Sequence, residues 1–245
     1  MADKKVTARR PARPHQGTEE RELPPPARAL LPGALRPALA PTAVAGALVA
    51  LVLGVMYAGH SRPGRVDRWL ADPTADAIRP PWRRLALAVD FLGEPAGAVL
   101  LIAAAVAGCL WLRRPRAAVL AVAGPGLAVL TTTLAKSLVG RTIHGEDNLS
   151  YPSGHTAFLS AFAFVVALVV AGRARWRRTG ALLLVLAATL VAGVVMGWAQ
   201  VMLSAHYPTD VLGGWCTALA VVPATAWLVD RAAGRGPDSA RPDHG

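Results

Sequence analysis

Tyr151-Pro152-Ser153-Gly154-His155-Thr156 sets a Pro-Ser-Gly turn directly before a long apolar run. A helix starting there leaves the N–H groups of its first turn unpaired and pointing outward, which makes a ready anion site. Gly154 lets a phosphate approach the backbone closely, and the Ser153 hydroxyl adds a donor. His155 stands where it can hand a proton to a leaving alkoxide. A second stretch, His206-Tyr207-Pro208-Thr209-Asp210, puts a carboxylate four residues after an imidazole, across a proline turn. Asp210 can accept from one ring nitrogen and fix the tautomer, leaving the other nitrogen free as a nucleophile. Lys136 and Arg141 precede both stretches, with His144, Glu146 and Asp147 close behind. Each of these residues has a plain structural role when taken singly: a snorkelling cation, a polar helix start, an acid favoured by a helix dipole. The chemical reading rests on their convergence, since ionisable groups are costly at membrane depth and three separate loops deliver them to one face.

The elements that must position these residues are long apolar segments. Of 245 residues, 53% are apolar and 17% charged, against about 25% charged in a soluble domain, and the mean hydropathy is +0.39. Six candidate spans fall at about residues 40–59, 95–112, 117–139, 155–172, 179–202 and 210–229, each long enough for a hydrocarbon core of about 30 Å. The fold class expected is an all-α integral membrane bundle of six helices over 39–230. Basic tails over 1–38 and 231–245 are expected to be disordered. The tails, with the loops around Arg113–Arg116 and Arg173–Arg178, hold 18 of the 26 Lys and Arg residues. The positive-inside rule therefore puts both termini in the cytoplasm and the polar cluster on the outer face. The same distribution accounts for most of the +11 net charge, so nucleic acid is not expected as a partner. Cys109 and Cys216 lie in apolar runs without metal-ligand or disulfide spacing.

The segment from Gly59 to Glu94 carries Arg62, Arg65, Arg68, Arg79, Arg83 and Arg84, partly balanced by Asp67, Asp72, Asp76 and Asp90. Its stretch after Pro80-Pro81 reads as a helix lying at the outer interface. Thr131-Thr132-Thr133 reads as helix–helix hydrogen bonding, Gly213-Gly214 as a close-packing site, and Trp198 and Trp215 as packing or interfacial aromatics.

Lys136, Pro152-Ser153-Gly154-His155, and His206 with Asp210 in His-Tyr-Pro-Thr-Asp-Val-Leu-Gly-Gly resemble the three signature motifs of the type 2 phosphatidic acid phosphatases, also called lipid phosphate phosphatases and related to vanadium haloperoxidases. The resemblance covers about residues 40 to 230. It implies that His206 attacks phosphorus to form a phosphohistidine, that Asp210 orients it, and that His155 is the general acid. It further implies that Lys136, Ser153 and the Gly154 amide hold the phosphate oxygens, with no metal and no other cofactor.

The sequence departs from the family pattern at two places. Ile143 and His144 stand where the first motif has Arg-Pro, and Ala199 and Gln200 stand where the third motif opens with Ser-Arg. Arg141 is taken as a phosphate-binding residue that can swing in as a substitute, as can His144 if protonated, and Gln200 can still donate a neutral hydrogen bond; which of the three compensates is left open. Charge-assisted hydrogen bonds to phosphate are worth about 1.5 to 3 kcal/mol each, so two uncompensated losses would cost roughly two to four powers of ten in rate. The expected function is a metal-independent membrane phosphatase acting on a lipid phosphate or pyrophosphate, located in a bacterial inner membrane. A catalytically weak or inactive lipid-phosphate binding protein on the same fold is the alternative. A vanadate enzyme and a transporter are disfavoured, the latter because the polar residues cluster at one face. The particular lipid and the oligomeric state are left open.

Overall fold

The computed structural model describes residues 29–30, 35–75, 79–173 and 177–234. Eight helices carry these residues: α1 (Arg36–Met56), α2 (Arg65–Ala75), α3 (Pro80–Asp90), α4 (Pro95–Trp111), α5 (Pro115–Val139), α6 (Gly154–Ala171), α7 (Arg178–Met202) and α8 (Pro208–Gly234). Five of them, α1 and α5 to α8, are each long and apolar enough to cross a membrane. α3 and α4, bent by 56° at a short break, pass the same test only as a pair, which makes five or six candidate spans among the described residues. The expected all-α membrane bundle is therefore the fold observed, with α2 and α3 lying between α1 and α4 along the chain. Most of the tail expected over 1–38 lies outside the described residues. Its last three residues already belong to α1, and at the other end α8 runs on to Gly234.

Local sequence sets these boundaries. Proline opens α3, α4 and α5, where its missing N–H costs nothing and its φ suits the first turn. Gly140 ends α5 in the left-handed conformation (φ 63°) and returns its N–H to the Lys136 carbonyl. Ser153 caps α6 by accepting the Thr156 N–H on its hydroxyl oxygen.

The core lies among α5, α6, α7 and α8, where Leu120, Ala128, Ala161, Phe164, Val185 and Val222 are fully buried. Small residues let the helix backbones approach. A Cβ on Gly193 would strike Trp215, one on Gly197 would strike Val211, and one on Gly214 would strike the Ser153 carbonyl. The expectation for Gly213-Gly214 as a close-packing pair is thus met, with Tyr151 filling the space beside Gly213. Trp215 donates its indole N–H to the Thr189 carbonyl and Trp198 meets Trp82 edge to face, so both are packing aromatics. The threonine run differs from expectation: Thr131, Thr132 and Thr133 all donate their hydroxyls to carbonyls of their own helix, Leu127 and Val129, because those acceptors lie within one turn. Outward-facing Leu51, Val99, Leu100, Leu183 and Val191 are exposed, as a hydrocarbon solvent requires.

α1 and α8 run antiparallel, and Asp230 near the end of α8 accepts the Leu30 N–H and lies 3.9 Å from Arg36. Arg114, at the turn into α5, reaches the Val169 and Gly172 carbonyls at the end of α6. The arginine-rich turns therefore gather at one end of the bundle. The first turns of α6 and α8, with the last turns of α5 and α7, gather at the other.

Candidate active site

Two helix starts and one hairpin build the site at this second end. Between α5 and α6 the chain folds back on itself through the Thr142–Leu149 bridge, and Ser150 N–H donates to the Arg141 carbonyl. Lys136, in the last turn of α5, donates to the Leu149 carbonyl at 2.9 Å and keeps two further N–H donors. Ser153 is fully buried, and its hydroxyl oxygen receives both the Thr156 N–H and the Thr156 hydroxyl. Its own N–H donates to the Asp210 carbonyl at 3.0 Å, which ties the start of α6 to the start of α8. Thr132 faces Gly154 across the α5–α6 contact.

His206, on the turn into α8, has a side chain 8% exposed, with Nδ1 3.7 Å from Asp210 Oδ2 and no hydrogen-bond partner on that nitrogen. Asp210 is fully buried. Its Oδ2 accepts the Tyr207 N–H and its Oδ1 accepts Arg141 Nη1 at 2.5 Å. His155, on the first turn of α6, points Nε2 towards two carboxylates from the α3–α4 break, Asp90 at 3.7 Å and Glu94 at 3.9 Å. Gly93 lies against the imidazole so closely that a Cβ there would collide with the ring.

Arg141 has a place quite different from the expected phosphate clamp. Its side chain is fully buried: Nη1 binds Asp210 and the Thr209 hydroxyl (2.6 Å), Nη2 binds Asp67 (2.6 Å), and its guanidinium carbon lies 4.0 and 4.5 Å from the ring centroids of Tyr57 and Tyr207. A guanidinium desolvated in this way is held by its carboxylates, since unpairing a buried charge is strongly unfavourable. The other expected substitutes are also engaged. His144 Nε2 lies 2.7 Å from the Ser204 carbonyl on the exposed rim, and Gln200 donates to Asp90 at 2.5 Å. Glu146 and Asp147 are exposed. Lys136, Ser153 and the first-turn amides of α6 then remain as the candidate donors at this end of the bundle.

Sequence reasoning missed Asp67, Asp90 and Glu94. Asp67 is fully buried, and one of its oxygens accepts both the N–H and the hydroxyl of Thr209. Burial by itself pushes this carboxyl up. The hydrogen bonds from Thr209, from the Gly64 N–H and from Arg141 outweigh that effect and hold it below the usual carboxylate range. The signal that could have found it is the need of a buried Arg141 for carboxylate partners; spacing alone carried none. Burial also pushes the Tyr151 phenol up, reinforced by Cys216 and Asp210, so it stays a neutral donor to the Ala50 carbonyl. Among the described residues, Asp90, Glu94 and His155 form a group whose donor atoms lie close enough together to hold a metal ion, all within 4.8 Å of one another.

The fold and this geometry can be set beside known proteins. No curated protein matches the chain in sequence. The structure resembles that of a Bacillus subtilis protein described as the first transmembrane PAP2 type phosphatidylglycerolphosphate phosphatase. The TM-score is 0.62 and the identity 21%, over 79% of this chain and 96% of that one. A sequence model of the PAP2 superfamily matches residues 98–233, from early in α4 to the end of α8, which takes in every one of the expected site residues. A match over more than half the chain decides the family: this protein belongs to the PAP2 superfamily.

Proposed function

We propose that the protein is a membrane phosphatase that hydrolyses the terminal phosphate of a lipid phosphate or pyrophosphate through a phosphohistidine. The observation that carries this reading is the joining of two helix starts at one end of the bundle: Ser153, at the head of α6, is hydrogen-bonded to Asp210, whose carboxylate lies beside His206. In this reading the phosphate is held by Lys136, the Ser153 hydroxyl and the Gly154 amide, and the helix dipole of α6 favours its charge. His206 attacks phosphorus through Nε2; the P–O bond to the lipid breaks as the P–N bond forms, and His155 gives its proton to the departing oxygen. Water then attacks the phosphohistidine and passes a proton back to His155, releasing inorganic phosphate. The 3.7 Å between His206 and Asp210 exceeds a hydrogen bond, and such contacts tighten when substrate is bound. Asp90 and Glu94, 3.7 and 3.9 Å from the His155 Nε2, hold the imidazole in place beside the site.

No metal has a role in this scheme, and an ion held by Asp90 and Glu94 would take the His155 nitrogen that the acid step needs. Both termini are placed in the cytoplasm and the site on the outer face of a bacterial inner membrane, a topology supported by the gathering of arginine-rich turns at the opposite end from the histidines.

The test is phosphate release by detergent-purified protein, in the presence of EDTA, across a panel of lipid phosphates and pyrophosphates. Turnover is expected in EDTA, with none above blank for His206→Ala and a loss of about 10²- to 10⁴-fold for His155→Ala. A second reading, a lipid-phosphate binding protein with little or no turnover, is favoured by the burial of Arg141 and by Gln200 bound to Asp90 where the family has arginine. Lipid-phosphate binding without turnover on any substrate would establish it.

A further inference from the structure

α1 packs along α8 but barely touches α5, and this leaves an apolar groove of about 340 Å³ between α1 and α5, with Tyr151, Pro152 and Thr217 at its base. The walls are Ala50, Gly54 and Val55 on one side and Ala135, Leu138 and Val139 on the other. We propose that this groove holds a hydrocarbon chain, acyl or isoprenoid, of the phosphorylated lipid whose head is processed at His206. The inference rests on the phosphatase reading for the identity of the head group. The groove itself stands on four observations.

The groove adjoins the site along the chain at two places. Pro152 lines it and the next residue, Ser153, caps α6; Ala135 lines it and the next residue, Lys136, donates into the hairpin of the site. On α5 the two jobs fall on adjacent faces, with Thr131, Ala135 and Leu138 towards the groove and Thr132 towards Gly154. Next, the groove opens sideways among side chains that face hydrocarbon: Leu51, Val55 and Leu138 at its rim are 63%, 70% and 85% exposed. Its polar wall atoms are also satisfied internally. Thr131 donates to Leu127, Thr217 to Gly213, and the Tyr151 hydroxyl to Ala50, so methyl groups and ring carbons are left to line the space. Finally, its volume of about 340 Å³ lies in the range of clefts that take a small ligand. A helix of a second copy, about 10 Å across with its side chains, packs on a face, whereas a single chain of methylenes fits a groove of that volume and loses water or loose lipid contacts in doing so.

Filling the groove tests the proposal without touching the residues assigned to catalysis. Ala135→Phe and Thr131→Phe each project a ring into it, and the second keeps the test open should the first fail to fold. Each variant is assayed in one detergent on dioleoyl phosphatidic acid and on para-nitrophenyl phosphate, which has no chain. The expected result is a loss of about tenfold or more in kcat/KM on the lipid, carried by KM, with turnover of the nitrophenyl ester unchanged. Equal effects on the two substrates, or none on either, would overturn the proposal. A phosphatidic acid bearing a photoreactive diazirine in mid-chain is crosslinked to the wild-type protein in parallel. Labelled peptides from α1 and α5, lost in Ala135→Phe, are expected whether or not the protein turns the lipid over. Labelling confined to other helices, or a loss of self-association in both variants without any change in labelling, would refute the chain site and assign the groove to lipid at large or to a second copy. Absence of all turnover with groove labelling intact would instead count against the phosphatase reading alone.

Discussion

Arg141 connects three separate parts of the chain: α2 through Asp67, the turn into α8 through Thr209 and Asp210, and the hairpin that carries it. Removing it would leave two buried carboxylates without their cation. Arg141→Ala is therefore expected to lower stability by about 3 to 5 kcal/mol, measured as a fall in the thermal midpoint in detergent, whether or not phosphate is present. A clamp on substrate would show the opposite pattern, with normal stability and a raised KM. Arg141→Lys keeps one charge but not the two-sided fork, and is expected to recover only part of the loss. Asp67 gives a pH signature of the same assembly. Its carboxyl is held below the usual range, so its contribution to stability is fully present above the ordinary aspartate value of about 3.9 and is lost as pH falls through the lowered folded value. The wild-type thermal midpoint is expected to drop more steeply than that of Asp67→Asn on acidification through pH ~4; parallel curves would count against it. At this scale the sequence marked candidate residues and was silent about their partners. His155, His206 and Asp210 were legible because their motifs are local. The pairing of Arg141 with Asp67 was not, because an ion pair between distant segments leaves no periodicity to read.

At the scale of elements, the spans were legible to within a few residues because apolar length is set by the bilayer and the breaks are marked by Pro, Gly and Arg. Span two was the exception. α4 alone is short, and it reaches the length of a span only together with α3, bent away from it by 56°. Hydropathy averages over such a break and hides the bend that brings Asp90 and Glu94 to His155. The stretch after Pro80-Pro81 does form a helix, α3, while α2, with Asp67 on its first turn, was not foreseen because charge obscures its amphipathic pattern. The contact between α6 and α8 offers an element-level test. A Cβ on Gly214 would meet the backbone carbonyl of Ser153, which no rotamer change can relieve. Gly214→Val is expected to push the two helix starts apart and abolish turnover while purified protein retains its helical circular dichroism. Wild-type activity in that variant would contradict the close contact.

For the whole molecule, charge and apolar length agree on one arrangement, a bundle with an arginine-rich end and an opposite end that gathers the two candidate histidines. That arrangement was readable from the sequence because topology follows from bulk properties; the α1–α5 groove was not, because it depends on which helices fail to touch. Burial is graded across the bundle: 61% of the central window of α6 is enclosed against 17% of that of α1. α1 is therefore held chiefly by α8, where Gly46 admits the Cys216 carbonyl. Gly46→Leu is expected to loosen α1 first, read as faster proteolysis near the N-terminus before any loss of the α5–α8 core. Loss of the whole fold at one step would show that α1 is integral to it.

The hydrogen bond from Ser153 to the Asp210 carbonyl joins two turns that the chain reaches by going down α6 and back up α7. Between the two motifs, then, the sequence acts as a ruler. Its length answers to the thickness of the bilayer and is indifferent to phosphorus chemistry. Residues added at the far turn, beyond Arg173, change the length of chain between the motifs without changing the gap between them. Residues added within α6 or α7 would rotate one motif past the other and misalign the reacting atoms.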